Sequence, residues 1–183
     1  MKRKQLQLFA STPKTHGGEA SRGRRKGARP VATKRPMHVI LRSSRARGEW
    51  NFLRRAHATR VKGIAHSTAR RFGVRLHRFE NVGNHLHLIV QAKRRADFQN
   101  FLRVLAQAVC FLVTKARKGS PIGKFWDALA FSRVVEWGRD YLNLLEYLRK
   151  NEWEAGGMPR DRVDHWFGVK RELLRESGPL KST

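Results

Sequence analysis

One cysteine, two tyrosines and 14 acidic residues are all that this chain of 183 residues holds of those kinds, against 40 lysines and arginines. A lone thiol, Cys110, forms no internal disulfide, and its place in an apolar helical pattern predicts a buried thiol in a reducing compartment. No apolar run approaches the roughly 20 residues that cross a bilayer. The residues after Met-Lys-Arg-Lys (Leu6, Leu8, Phe9) are too interrupted for a signal-peptide core. The expectation is a soluble protein that is not exported. The sequence has no glycine-rich P-loop, no cysteine-rich zinc spacing, and no cluster of acids suited to a pair of metal ions. ATP-driven chemistry is therefore not expected.

What the chain does have is positive charge. A net +26 opposes compaction unless a polyanion neutralises it, and nucleic acid is the partner that this implies. The expected location is the cytoplasm, at the nucleoid. The hydrophobic share of 40% suffices for one modest domain plus a tail. Residues 1–36 carry 11 basic residues and one acid, Glu19, among glycines and prolines, and such a segment buries too little apolar surface to fold alone. Arg22, Arg24, Arg25, Lys26 and Arg29, with Lys34 and Arg35 beyond them, read as a flexible cationic arm. It would lie along phosphates or insert arginine into a narrow minor groove. A solvated run of charge is the alternative. The chain thus divides into an arm (1–36), a globular domain (37–160) and a basic tail (161–183).

Periodicity orders the globular part. His38 to Arg42 alternates as a short strand with Val39 and Leu41 on one face. Leu53, His57, Val61, Ile64, Thr68 and Phe72 recur at helical spacing, and Gly73 is a natural stop. Val74 to Val82 and His85 to Gln91 read as two strands of a hairpin, the second with Leu86, Leu88 and Val90 on one face. A helix with Asp97 as N-cap carries the stripe Phe98, Phe101, Leu102, Leu105, Val109, Leu112 and Val113. Ala128 to Val135 gives a fourth strand, and Asp140 opens a last helix that runs toward Gly156 and Gly157. The predicted fold class is α+β: a ferredoxin-like (RRM-like) βαββαβ antiparallel sheet with an additional C-terminal helix. Helices are expected on one face of the sheet, leaving the other face for a site.

His85-Leu86-His87 is the most informative tripeptide. In a strand, residues two apart project from the same face about 7 Å apart along it. Two neutral imidazoles so placed suit one shared metal ion, while Leu86 anchors the strand in the core. Two ordinary surface histidines fit the same spacing. In the last helix Tyr141 shares a face with Leu144, Leu145 and Leu148, which makes it a core aromatic. Tyr147 instead shares a polar stripe with Asn143 and Asn151, each four residues away. A phenol, whose pKa is about 10, is a poor nucleophile at neutral pH unless a metal polarises the phosphate under attack. Asn151, one turn on, would be a third ligand for that metal. The alternative is that Tyr147 is an interface or capping aromatic. His57 falls on an apolar stripe and reads as a core or boundary residue, and His66, His77 and His165 have no partner at ligand spacing. Trp126 and Trp137 flank the fourth strand and are expected to pack, whereas Trp166-Phe167 is the expected stacking or docking pair.

Taken together, these residues resemble a known family. Asn84-His85-Leu86-His87-Leu88-Ile89-Val90 resembles the N-H-U-H-L-x-V segment of the single-tyrosine HUH transposases (IS200-like), where U is a bulky apolar residue. Tyr147-Leu148-Arg149-Lys150-Asn151 followed by Ala155-Gly156 is similar to the Y-I-x-x-N-P-x-x-A-G helix of the REP-associated branch. Lys124-Phe125-Trp126 resembles that branch's approach to the fourth strand. Gly17-Gly18 with Arg25 to Pro30 resembles a glycine- and arginine-rich arm found in some members. The resemblance spans roughly residues 17 to 157. Glu152 departs from it, standing where the family has proline; its place about 100° round the helix from Asn151 favours an exposed side chain over a metal ligand.

The resemblance implies a nuclease and strand transferase for single-stranded DNA, usually beside a hairpin. It implies Mg²⁺ or Mn²⁺ held by His85, His87 and Asn151, and Tyr147 as the nucleophile that forms a 5′-phosphotyrosine link. Members work as swapped-site dimers or as monomers, so a homodimer stays open. The competing reading is a non-catalytic basic nucleic-acid-binding protein, for DNA or RNA, that uses the same sheet. An RNA binder of this strand order would be expected to carry aromatics on the central strand, which His85-Leu86-His87-Leu88 lacks.

Overall fold

The computed structural model describes residues 15–21, 23, 28–116, 119–120 and 122–176. Of the arm positions, Arg22, Arg24, Arg25 and Lys26 lie outside the described residues. The elements in chain order are β1 (Thr15–His16), β2 (Met37–Arg42), α1 (Ala58–Arg71), β3 (Arg75–Asn81), β4 (His85–Gln91), α2 (Arg95–Thr114), β5 (Phe131–Val134), α3 (Arg139–Ala155) and α4 (Arg160–Glu176). The sheet order is β1-β5-β2-β4-β3, with every pairing antiparallel. Without β1 this is the predicted ferredoxin-like sheet, with the first and third of its four strands at the centre. β1 is an added edge strand, in which Thr15 pairs with Arg133 and His16 with Ser132.

Alternation along β2 and β4 divides the sheet's faces. Met37, Val39 and Leu41 point one way with Leu86, Leu88 and Val90, all at most 3% exposed, into a core closed by α1 and α2. The α2 stripe packs as its spacing predicts, with Phe98, Phe101, Leu105 and Val109 at 0% exposure. α2 is long and apolar enough on average to cross a membrane, yet its stripe is the core of this domain. Cys110, expected to be buried, is only partly so, and that burial pushes its thiol pKa up.

Several boundaries differ from expectation. The first helix begins at Ala58, after a 3-10 turn at Gly48–Trp50, so Leu53 lies outside it and is largely exposed. His57 ends that connection, buried, with Nδ1 3.0 Å from the Asn51 carbonyl oxygen. Asp97 is not the N-cap. The helix starts two residues earlier, and Asp97 sits in its first turn, bonded to the Arg94 guanidinium at 2.9 and 3.0 Å, where a carboxylate favours the helix dipole. The fourth predicted strand is shorter, Phe131–Val134.

The other face of the sheet is not wholly open. α3 lies on it, and Leu144 and Leu148 enclose Ile89 and Val135 in a second small core, with Tyr141 and Leu145 beside them. Asp140 anchors the start of α3. Its carboxylate accepts from both Arg133 guanidinium nitrogens at 3.0 Å and from the Glu136 backbone N–H at 2.9 Å. Gly157, at φ +92°, stops the helix: the Met158 N–H bonds the Trp153 carbonyl and the Gly157 N–H that of Glu154, both at 3.0 Å. This is the left-handed stop that favours glycine.

The segment expected as a basic tail is helical over Arg160–Glu176 and packs on α3. Val163 and Phe167, four residues apart, are buried, and Lys150 bonds Asp164 at 2.7 Å. Trp153 packs on Phe167 and Trp166 at ring distances of 5.3 and 4.7 Å. Phe167 is thus a buried contact rather than half of a free stacking pair. Trp126 packs, with its indole N–H donating to the Ala106 carbonyl at 3.1 Å. Trp137 does not; it is half-exposed beside Tyr141 and His77.

Candidate active site

The β2–β4 register sets Ile40 opposite His87 and Arg42 opposite His85. The side chains on this face line a cleft of about 350 Å³ with Tyr147 at its edge. The imidazoles of His85 and His87 have centroids 4.7 Å apart, and the Tyr147 ring stands 5.9 Å from His87, nearly perpendicular to it. The structure therefore brings His85, His87 and Tyr147 to one place. The helix face that buries Leu144 and Leu148 against Ile89 leaves Tyr147 half-exposed at the cleft.

Each histidine of the pair has one nitrogen engaged. The Nδ1–H of His85 donates to the Asn84 side-chain oxygen at 2.6 Å. An amide oxygen only accepts, so Nε2 of His85 is left with its lone pair. The Nδ1 of His87 lies 3.1 Å from Nε2 of His38, and those two rings stack at 5.3 Å with 12° between their planes. The Nε2 of His87 is buried and has no hydrogen-bond partner.

The three imidazoles are held neutral. Burial pushes His87 down to about 3, helped by the neighbouring His38 and His85. Burial pushes His38 down to about 4, with Arg133 acting in the same direction. His85 is lowered by burial and by Arg42. The neutral imidazoles of His85 and His87, whose Nε2 atoms carry no protein hydrogen bond, one of them an otherwise costly buried polar orphan, are a donor pair that fits a divalent metal. Among the described residues no group of three His, Cys, Asp or Glu side chains forms a metal cage.

Asn151 lies one turn beyond Tyr147 on α3, with its side-chain N–H donating to the Tyr147 carbonyl at 3.0 Å. Glu152 is exposed and bonds the Arg78 guanidinium of β3 at 3.0 Å. Of the described arm positions, Arg29 is tied inward, donating to the Ser132 hydroxyl at 2.5 Å while its carbonyl accepts from Arg95. Arg35 pairs with Glu136. Lys34 is exposed, and its carbonyl takes the Trp137 indole N–H at 3.2 Å.

Other residues complete the cleft. Gly17 and Gly18 lead from β1 to its rim, where Glu19 also sits. Gly17 has φ +77°, and a Cβ there would stand 2.2 Å from the Ala130 carbonyl oxygen, so only glycine lets this segment lie against the chain entering β5. Asp127, also on the rim, accepts from the Ser44 backbone N–H at 2.8 Å and faces Arg42 at 3.8 Å. Neither Asp127 nor His38 is singled out by sequence pattern. The only signal for His38 is a polar residue in the alternating strand next to the histidine pair.

Residues 33–150 match the family model described as "Transposase IS200 like". The chain belongs to the IS200-like transposase family. That match covers β2 through most of α3, including His85, His87 and Tyr147, and ends one residue before Asn151. No curated protein matches the chain. At the family level this transposase binds and cleaves DNA, and the chemistry it performs is DNA transposition.

Proposed function

We propose that this IS200-like transposase is a single-tyrosine endonuclease and strand transferase that needs Mg²⁺ or Mn²⁺ and acts on single-stranded DNA beside a hairpin, as in the REP-associated branch. The observation that carries the reading is the Tyr147 ring standing 5.9 Å from His87 in the cleft that His85 shares. The Tyr147 hydroxyl attacks the scissile phosphorus. The bond to the 3′-oxygen breaks, the phenolic proton is lost, and the leaving oxygen becomes a free 3′-hydroxyl. The product is a 5′-phosphotyrosine, and attack by another 3′-hydroxyl reverses the step and joins strands. His85 and His87 would hold the metal through Nε2, with the Asn151 side-chain oxygen as third ligand. The metal, when bound, supplies charge against the phosphate oxygens. Burial keeps both imidazoles neutral and so able to ligate.

Residues 37–160 serve as the catalytic domain in this reading, joined by β1 and the cleft-lining Gly17 to Glu19, with the remaining basic positions of residues 1–36 as a DNA-binding arm. The test is an adduct assay on a denaturing gel, with hairpin oligonucleotides of randomised flanks and Mn²⁺, Mg²⁺ or EDTA. A metal-dependent adduct that is absent in Tyr147→Phe is the expected result. Salt-sensitive binding with no adduct would favour the non-catalytic binder.

A further inference from the structure

We infer that His38 is a positioning residue. It fixes the tautomer of His87 so that Nε2 of this cleft-lining residue carries a lone pair and not an N–H. This deepens the proposed metal-binding reading and rests on it.

The two imidazoles lie on neighbouring central strands, with Nε2 of His38 3.1 Å from Nδ1 of His87 and the rings nearly parallel. Both side chains are at most 4% exposed, so no bulk water competes for this contact. One proton occupies the line between the two nitrogens. If His38 supplies it, His87 must carry its own proton on Nε2. That N–H would then be buried without an acceptor and would close Nε2 to any cation. If His87 supplies it, His38 accepts, and the Nε2 of His87, equally without a protein partner, is a lone pair that only a cation would satisfy. The second arrangement makes His38 do for His87 what Asn84 does for His85. Both histidines line the same cleft, and each then has Nδ1–H donating to an acceptor and Nε2 left as a lone pair.

The test uses ¹⁵N-histidine-labelled full-length protein at neutral pH in EDTA, with long-range ¹H–¹⁵N spectra to read the protonated nitrogen of His87. Mn²⁺ titrations followed by electron paramagnetic resonance run alongside. In the wild type His87 should be protonated on Nδ1. In His38→Leu the Nδ1–H population should fall and Mn²⁺ affinity should drop about 10- to 100-fold. In His38→Gln, whose side-chain oxygen can stand near the lost Nε2, affinity should recover to within a few-fold of wild type. His87 protonated on Nε2 in the wild type would overturn the inference, and that measurement stands even if His38→Leu does not fold. A folded His38→Leu with unchanged tautomer and Mn²⁺ affinity would also overturn it, leaving His38 a packing residue. The expected tautomer with no Mn²⁺ binding in the wild type would instead overturn the metal reading.

Discussion

Asn84 and His85, adjacent in sequence, are joined by a 2.6 Å hydrogen bond from the ring Nδ1–H to the amide oxygen. Asn84 is exposed, so its removal separates the orientation of the His85 ring from folding. Asn84→Ala should leave the urea midpoint nearly unchanged and weaken Mn²⁺ binding by about 10-fold or more. Unchanged affinity would show that the ring needs no such support.

The buried histidines make stability depend on pH with a definite sign. His38 and His87 sit at about 4 and about 3 in the fold against 6.5 when unfolded. Below pH 6.5 the unfolded chain takes up protons that the folded chain refuses. Stability should therefore be full above that pH and fall on acidification toward the folded values. His85 and His77, also lowered by burial, act in the same sense. Glu80, whose carboxyl burial raises, acts in the opposite sense. Urea unfolding in EDTA between pH 4.5 and 7 should show net proton uptake on unfolding. A flat profile would contradict neutral burial of the pair.

Leu148 holds the tyrosine helix against Ile89 with 0% exposure. Leu148→Ala should cost about 2–5 kcal/mol in unfolding free energy. Where the variant remains folded it should also lower the rate of adduct formation, because Tyr147 is the next residue along. Val113→Ala, in the core on the other side of the sheet, should cost stability without a comparable loss of rate. Equal loss of rate in both variants would remove the link between this small core and the cleft.

The net charge of +26 predicts strong salt dependence. Affinity for single-stranded DNA should fall log-linearly with salt, with a slope near −0.7 for each phosphate neutralised. Fluorescence anisotropy between low and physiological salt measures it. Lys34→Ala should reduce the slope, since its side chain is exposed. Arg29→Ala should reduce stability more than slope, since Arg29 bonds Ser132 within the fold. The reverse order would return Arg29 to the DNA contacts.

The readable and the hidden parts of this fold differ in the range of the interaction that makes them. The bounds of β4 follow from the alternation of Leu86, Leu88 and Val90, and the buried face of α2 from its own 3.6-residue period. β1 has two residues and hence no period; it exists through pairing with β5 more than a hundred positions away. The Val163 and Phe167 repeat of α4 was present but lay among charges dense enough to read as a tail. Covering of the second face needed knowledge of what Ile89 meets, and that partner, Leu148, is distant in sequence. At the site, His85, His87 and Tyr147 were legible because strand and helix periods aim their side chains. His38 was not, because its significance lies in a contact across 49 positions of chain.

The helix that bears Tyr147 is held from two sides, by the sheet through Ile89 and Val135 and by α4 through Phe167 and the Lys150–Asp164 pair. In the covalent complex proposed above the severed strand would hang from that phenol, so any tension along the DNA would be a mechanical load on α3. A helix secured along one flank alone would peel from its end under such a pull. Gripped on both flanks, α3 would pass that load into the body of the domain, and under the proposed mechanism the bond to the strand would bear tension while the cleft stays assembled for rejoining.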